Sequence, residues 1–353
     1  MNPSFWFGRS VFVTGHTGFK GGWISLWLSK MGAKVYGYSL EAPTIPNFFK
    51  EVNLIDRIKN SKIGDINDIS NLKRSIQEAK PSIIIHMAAQ PLVRESFKNP
   101  IHTYLTNVIG TANLLEAARN IESIEAIVNV TSDKCYNNKE NKKYFSENDK
   151  LGGNDPYSSS KACAEIISTA YRNSFLEKAN IKLATVRAGN VIGGGDWSKD
   201  RLVPDFFRAA NSKKTLFIRY PNSIRPWQHV LEPLSGYLIL AEKLVTKGID
   251  FADAWNFGPK ESDHKSVSWV IDYLSKKKKF NDVKFENSNE NTESVMLHLD
   301  SSKSKSRLNW ESKWSLDFAL DKTIEWNNAW EEDNLMNDIS TQQIDDYEKQ
   351  FFN

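Results

Sequence analysis

No stretch of this chain approaches the roughly 20 apolar residues that a membrane-spanning helix needs. No charged-then-apolar leader precedes the first apolar run, at Val11. Cysteine is nearly absent. Cys135 and Cys163 are the only two in 353 residues, too few for a disulfide framework or a thiolate metal cluster, and they fit a reducing compartment. Neither charge sign dominates: 46 basic and 43 acidic side chains leave +3, mixed along the chain, with no basic stripe that would track nucleic acid. The basic run Lys276 to Lys279 closes a helical pattern that starts near Val267, where cations favour a helix C-terminus. Internal repeats and low-complexity linkers are missing too. With 40% hydrophobic and 25% charged residues, the composition is that of an ordinary globular protein. A cytoplasmic protein is expected, with no metal and no membrane or nucleic-acid partner.

What is present is a strand-helix rhythm. Ser10 to Thr14, Lys34 to Tyr38, Ser82 to His86, Ala126 to Val130 and Lys182 to Val186 read as strands. Gly18 to Met31, Ile69 to Ala79, Thr103 to Asn120 and Pro156 to Leu176 read as helices between them. The run Ile83-Ile84-Ile85 has the continuous β-branched character of a parallel strand covered on both faces. The expected fold class is α/β: a doubly wound, Rossmann-like parallel sheet with a smaller C-terminal lobe. Residues 1–187 form the dinucleotide-binding part, rejoined by about 228–258. Residues 188–227 and 259–330 form the lobe, with loops at Gly193 to Arg201 and Pro221 to Trp227. Its helices are expected at 203–211, 232–245, 267–277 and 316–330. Residues 331–353 form a peripheral helix or tail. Ligands of such sheets sit beyond the carboxyl ends of the strands.

The loop after the first strand reads Gly15-His16-Thr17-Gly18-Phe19-Lys20-Gly21. Its glycine spacing permits a tight turn, close approach of backbone to a pyrophosphate and helix-sheet packing, and the following helix offers its N-terminal amides. In this strand-loop-helix setting it predicts a bound dinucleotide. Asp65 and Ile66 are expected at the adenine edge, with Asp65 also able to cap the Ile69 helix. Ala88, Ala89 and Gln90 follow the Ile83 strand, where a cofactor would pass close to backbone. The acid that normally meets the adenosine ribose at the end of the second strand is missing, since Tyr38-Ser39-Leu40-Glu41 places Glu41 too far along. Lys20 reads either as a 2′-phosphate contact or as a pyrophosphate contact. The residues alone therefore leave NAD and NADP open.

Tyr157 and Lys161, four apart at a helix start, share one face. A phenol with a pKa of about 10 becomes a base when cations such as Lys161 favour tyrosinate, and it can then take the proton of an alcohol during hydride transfer. Ser132 would hydrogen-bond the same oxygen; its plainer reading is a turn cap. In Thr131-Ser132-Asp133-Lys134-Cys135-Tyr136 a carboxylic acid and an amine stand beside that serine. They suggest a second proton-transfer task.

These motifs, together with Asn107 in Thr106-Asn107-Val108-Ile109-Gly110-Thr111 and Arg187-Ala188-Gly189-Asn190, resemble the extended short-chain dehydrogenase/reductases that modify nucleotide sugars. Within them the chain is most similar to the CDP-glucose 4,6-dehydratase family. The strings that carry this are Gly15 to Gly21, Thr131 to Tyr136, Leu151-Gly152-Gly153-Asn154-Asp155-Pro156-Tyr157, Asn190 to Trp197, and Arg225-Pro226-Trp227-Gln228-His229-Val230. Lys134 stands where sister dehydratases carry an acid. The resemblance implies NAD, contacted also by Asn107, Tyr157 and Lys161. It implies a nucleotide-sugar substrate, CDP-glucose, and a homodimer or tetramer pairing its 103–120 and 156–176 helices. The product would enter dideoxy sugars of surface polysaccharide. It also implies the roles of Asp133, acid at the carbon 6 oxygen, and Lys134, base at carbon 5. A lysine with a pKa of about 10.4 is charged at neutral pH, so stabilising an enolate is the alternative role for Lys134. The competing readings are a dehydratase or 4-epimerase acting on another nucleotide sugar, and a catalytically dead dinucleotide-binding regulator.

Basic residues for the diphosphate are Arg187, Arg201, Arg219 and above all Arg225, because guanidinium geometry suits phosphate oxygens. Arg94 and Asn190 are expected at the sugar or diphosphate. Trp197 and Trp227 read as base or sugar contacts or as core. His86 and His229 read as structural.

Overall fold

The computed structural model describes residues 1–138, 144–280, 282–285 and 298–352. Positions 281 and 286–297 of the expected lobe and residue 353 of the expected tail lie outside these. Seven strands form the main sheet: β1 (Ser10–Thr14), β2 (Lys34–Ser39), β3 (Asn60–Ile63), β4 (Ile83–His86), β5 (Ala126–Val130), β6 (Lys182–Ala188) and β7 (Ala254–Phe257). Their order is β7-β6-β5-β4-β1-β2-β3, and every pairing is parallel. The larger helices are α1 (Phe19–Lys30), α2 (Ile69–Ala79), α3 (Gly110–Ala118), α4 (Pro156–Tyr171), α5 (Leu202–Ser212), α6 (Leu231–Lys247), α7 (Val267–Lys278), α8 (Leu316–Glu331) and α9 (Met336–Phe352). Among the described residues, no helix is long and apolar enough to cross a membrane.

Strand alternation builds two cores from one sheet. Val11, Val13, Ile83, Ile85 and Val128 face α1 and α6. Phe12, Ile84 and Ile127 face α2 and α3. Burying each such side chain contributes about 1.5–3 kcal/mol, which is why the β-branched runs sit in the central strands. A third core, with Ile192, Phe206, Val270 and Leu320, joins α5, α7 and α8. Chain order reverses between β1 and β4, so the loops after these two strands flank the site where ligands bind in such sheets.

Several expectations shift. The 103–120 helix starts earlier, ends at Ala118 and is not α-helical throughout: Pro100–Tyr104 continues through a π-helical turn, Leu105–Ile109, into α3. A strand, Ile224–Pro226, lies inside the stretch expected as loop and pairs antiparallel with His264–Ser266. The acidic C-terminal stretch is α9, docked on α1 by Trp27 Nε1 and Lys30 Nζ, which donate to Glu348 at 2.7 and 2.6 Å.

Candidate active site

The glycine loop turns under geometric constraint. Gly15 has φ +78°, and a Cβ there would meet Ala88 N at 2.8 Å. At Gly21 a Cβ would lie 2.0 Å from Gly15 O. The loops after β1 and β4 are thus in direct contact. Thr14 Oγ1 ties them, accepting from Met87 N and Ala88 N at 3.0 and 3.1 Å. Gly18 caps α1 without a side-chain acceptor, leaving first-turn amides for a ligand. These features fit a dinucleotide pyrophosphate. Gln90 N donates to Asn107 Oδ1, and Asn107 Nδ2 donates to Gln90 O and Ser160 Oγ. Asn107 thereby links the β4 loop to α4. It lies in the π-helical turn, a distortion frequent at functional sites.

Two residues near this loop behave differently from expectation. His16 is neutral, lowered to about 4 by burial; its ring covers Gly37, where a Cβ would come within 2.4 Å of it. Lys20 donates to Tyr237 Oη at 3.2 Å and lies within electrostatic reach of Lys161, Arg201 and Asp133. Burial, then the Lys161 and Arg201 charges, lower its amine to about 7, against Asp133. It is therefore no 2′-phosphate contact. Asp65 holds Asn67, while Asp68 is the α2 cap, and Ile66 packs against Gly110.

Asp155 and Pro156 start α4: Asp155 accepts from Ser158 N, and proline occupies the first turn. About one turn apart, Tyr157 and Lys161 both reach from the helix toward the end of β5 and the loop after it. Ser132 caps the 3-10 turn Asp133–Cys135, as its plainer reading expected, and its hydroxyl also lies against Tyr157. Ser132 Oγ donates to Asp133 Oδ1 at 3.0 Å, and Lys134 Nζ donates to the same oxygen at 3.4 Å. Asp133 is buried and Lys134 partly exposed, so Lys134 is not the deeply buried amine that the sequence allowed.

Burial, with Asp133, holds the Tyr157 phenol above its ordinary range, against the Ser132 hydrogen bond, Lys134 and Arg201. Lys134 and Arg201 are thus cations that act on Tyr157. Lys161 Nζ donates to Val130 O at 3.2 Å, and burial lowers it to about 8, with Glu165 opposing.

Arg187 corrects the sequence reading most. It is buried at the end of β6 and donates Nε and Nη2 to Glu165, each at 2.8 Å. It is consequently not a phosphate ligand. Burial pushes the Glu165 carboxyl up, and Arg187, Thr131 and Thr185 outweigh that, leaving it below the usual range. Removing one partner of such a pair costs about 3–5 kcal/mol.

The comparisons agree with this architecture. Residues 12–323 match the family described as GDP-mannose 4,6 dehydratase. The chain belongs to this family. It is 49% identical to the CDP-glucose 4,6-dehydratase of Salmonella typhimurium over 98% of both chains. The structure of a Bacillus anthracis dTDP-glucose 4,6-dehydratase in complex with NAD superposes with TM-score 0.76 at 25% identity, covering 92% of this chain and 98% of that one. A double mutant of the Streptomyces venezuelae dTDP-glucose 4,6-dehydratase DesIV, with NAD and DAU bound, gives TM-score 0.78 at 21% identity, covering 90% of this chain and 96% of that one.

In this member of the family the remaining basic residues divide. Arg201 lies within electrostatic reach of Tyr157, its Nη1 2.9 Å from Asp196 Oδ2. Arg94 and Arg219 converge on Asp200, at 2.9 and 3.9 Å. Arg225 lies on the Ile224–Pro226 strand. Asn190 has a buried Oδ1 with no protein partner, beyond the carboxyl end of β6. Trp197 packs on Trp326 and Trp330, and Trp227 lies in the third core. His86 and His229 are buried, both lowered to about 3 mainly by burial, as structural histidines should be. Sequence reasoning missed Tyr237, Glu165 and Thr131. Glu165 was findable, because it follows Lys161 at the same four-residue spacing that joins Tyr157 to Lys161.

Proposed function

We infer that this chain is a CDP-glucose 4,6-dehydratase, giving CDP-4-keto-6-deoxy-glucose with NAD as catalytic cofactor. The observation that carries it is a second acid-base pair, Asp133 and Lys134, hydrogen-bonded to the serine that serves Tyr157. Oxidation or epimerisation at carbon 4 needs no such pair, whereas loss of water does. The cytidine diphosphate assignment follows the 49% identical relative.

Gly15 to Gly21, Ala88 to Gln90 and Asn107 would hold the cofactor, with Asp65 and Ile66 at the adenine. Bound NAD supplies a hydride acceptor for carbon 4, a hydride donor for carbon 6 and a positive charge near Tyr157. Tyr157 Oη takes the carbon 4 hydroxyl proton while Ser132 Oγ orients that oxygen. The ketone acidifies the hydrogen on carbon 5. One proton moving from Lys134 Nζ to Asp133, 3.4 Å away, turns the ion pair into an amine and a carboxylic acid, the two forms elimination requires. Lys134 then takes the carbon 5 proton and Asp133 protonates the departing carbon 6 hydroxyl. After Lys134 reprotonates carbon 5, the proton held by Tyr157 returns through Ser132 and Asp133 to Lys134, which closes the cycle. Asn190, Arg94, Arg201, Arg219 and Arg225 would bind the sugar diphosphate, Asn190 through its unpartnered oxygen.

The test is incubation with CDP-, dTDP-, GDP- and UDP-glucose and GDP-mannose, following the alkali-induced absorbance of a 4-keto product. Turnover of another donor in place of CDP-glucose would overturn the nucleotide assignment. A carbon 4 epimer without ketone would favour the epimerase.

A homodimer is the assembly this surface supports. Phe97, Ile101, Leu105 and Ile109 are exposed at four-residue intervals, with exposed Ile166 and Phe175 on the neighbouring α4 segment. Such a stripe marks an interaction face, and a second copy offers the matching one. Leu105→Glu combined with Ile166→Glu is expected to give monomers by sedimentation velocity. An unchanged sedimentation coefficient would remove this face from consideration.

A further inference from the structure

We propose that the buried Glu165–Arg187 pair is a positioning device that clasps both ends of the 131–136 loop, fixing Ser132, Asp133 and Lys134 relative to Tyr157. The proposal rests on the dehydratase reading for its kinetic consequence. At the first end of the loop Thr131 Oγ1 donates to Glu165 Oε1. At the other, Arg187 Nη1 donates to Tyr136 Oη at 2.7 Å, and the guanidinium lies 4.9 Å from the centre of that ring. The two halves of the clasp are joined by paired 2.8 Å bonds. Tyr136 Oη then donates to Asn256 Oδ1 on β7 at 2.7 Å, and Thr185 on β6 donates to Glu165 at 2.7 Å.

The reactive residues 132 to 134 hang between these anchors. Glu165 belongs to α4, the helix that carries Tyr157 and Lys161, and Lys161 itself grips the strand end at Val130 O. One rigid helix therefore holds both the redox pair and the root of the elimination loop. A buried ion pair is weak evidence for stability, because apolar residues of similar volume often serve as well. What its directional bonds add here is a fixed geometry between two sets of catalytic groups, which must act in turn on one sugar.

Stripping Glu165 or Arg187 leaves a lone buried charge, so the clasp is tested at its tips. Thr131→Val and Tyr136→Phe each remove one hydroxyl and keep the ion pair. Misplacement by about 1 Å can cost about 10²-fold in rate, so with CDP-glucose each variant is expected to lose about ten- to a hundredfold in kcat with KM within about twofold. Thermal unfolding should stay near wild type, and Thr131→Ser should recover most of the rate. Wild-type kcat in both folded variants overturns the proposal, as does loss of activity in Thr131→Ser together with a lowered Tm, which would indicate packing. A readout free of substrate is the crystal structure of the same variants. Displacement of Asp133 and Lys134 from Tyr157, with α4 unmoved, supports the clasp, and an unmoved loop refutes it. If wild type does not turn over CDP-glucose, the dehydratase reading fails and the crystallographic comparison still decides the clasp.

Discussion

Tyr157→Phe is expected to lower turnover of CDP-glucose by about 10²–10⁴-fold, the range that a positioned general acid-base contributes. The near-ultraviolet absorbance of reduced cofactor should not rise when substrate is added, because the first proton transfer is the one removed. The phenyl ring stays in a site where Tyr157 is 8% exposed, so Tm should change little. Lys161 adds a pH dependence whose sign follows from its surroundings. Burial lowers its amine to about 8, against the Glu165 carboxylate and Cys135, so it is charged below that pH and neutral above it. If its charge serves the tyrosine step, kcat falls as pH rises past about 8, and a wild-type profile with no descending limb there would exclude that role. A Tyr157→Phe protein that reduces cofactor at the wild-type rate would remove Tyr157 as the base.

The parts of this molecule legible in the sequence are those where one physical requirement dominates. Ile83 to Ile85 had to be a doubly covered strand, and the spacing of Gly15, Gly18 and Gly21 had to be a phosphate turn. β3 was invisible because its residues, Asn60 to Ile63, are mostly exposed and show no apolar alternation at the sheet edge. The π-helical turn at Leu105–Ile109 was invisible for a different reason: it reflects packing of Asn107 against Gln90 and Ser160, contacts made across distant segments. Tyr157 and Lys161 could be found because they share a helix. Arg187 was misassigned because composition ranks an arginine near a loop as a phosphate ligand. Its true partner, Glu165, becomes evident only when α4 packs on β6. Lys20 was legible only in part, since the glycine motif says where its backbone lies and nothing about Tyr237, 217 positions away. In each case the local code was readable and the long-range polar pairing was not.

Asp133→Asn and Lys134→Met are each expected to halt the reaction after its first half. Oxidation at carbon 4 uses Tyr157 and Ser132, which both variants keep, so substrate should reduce the cofactor and the absorbance should persist, with slower reduction in Lys134→Met, which removes one of the cations that pull the Tyr157 phenol down. Deoxysugar formation should fall by about 10²–10⁴-fold. The two variants separate in deuterated water. With asparagine at 133 Lys134 has lost the group that takes its proton, so exchange of the carbon 5 hydrogen should be slow at neutral pH and rise with pH as free amine forms, while the carbon 6 hydroxyl stays. With methionine at 134 no base reaches carbon 5, and exchange should stop. Exchange at the wild-type rate in Lys134→Met would leave Lys134 the role of a cation beside the enolate, where it would still lower the barrier electrostatically. The proton would then have to be taken by another group. The 3.4 Å Lys134–Asp133 contact makes the base role the more economical one. It would let one proton transfer within the pair arm both residues at once without a net change of charge in the site.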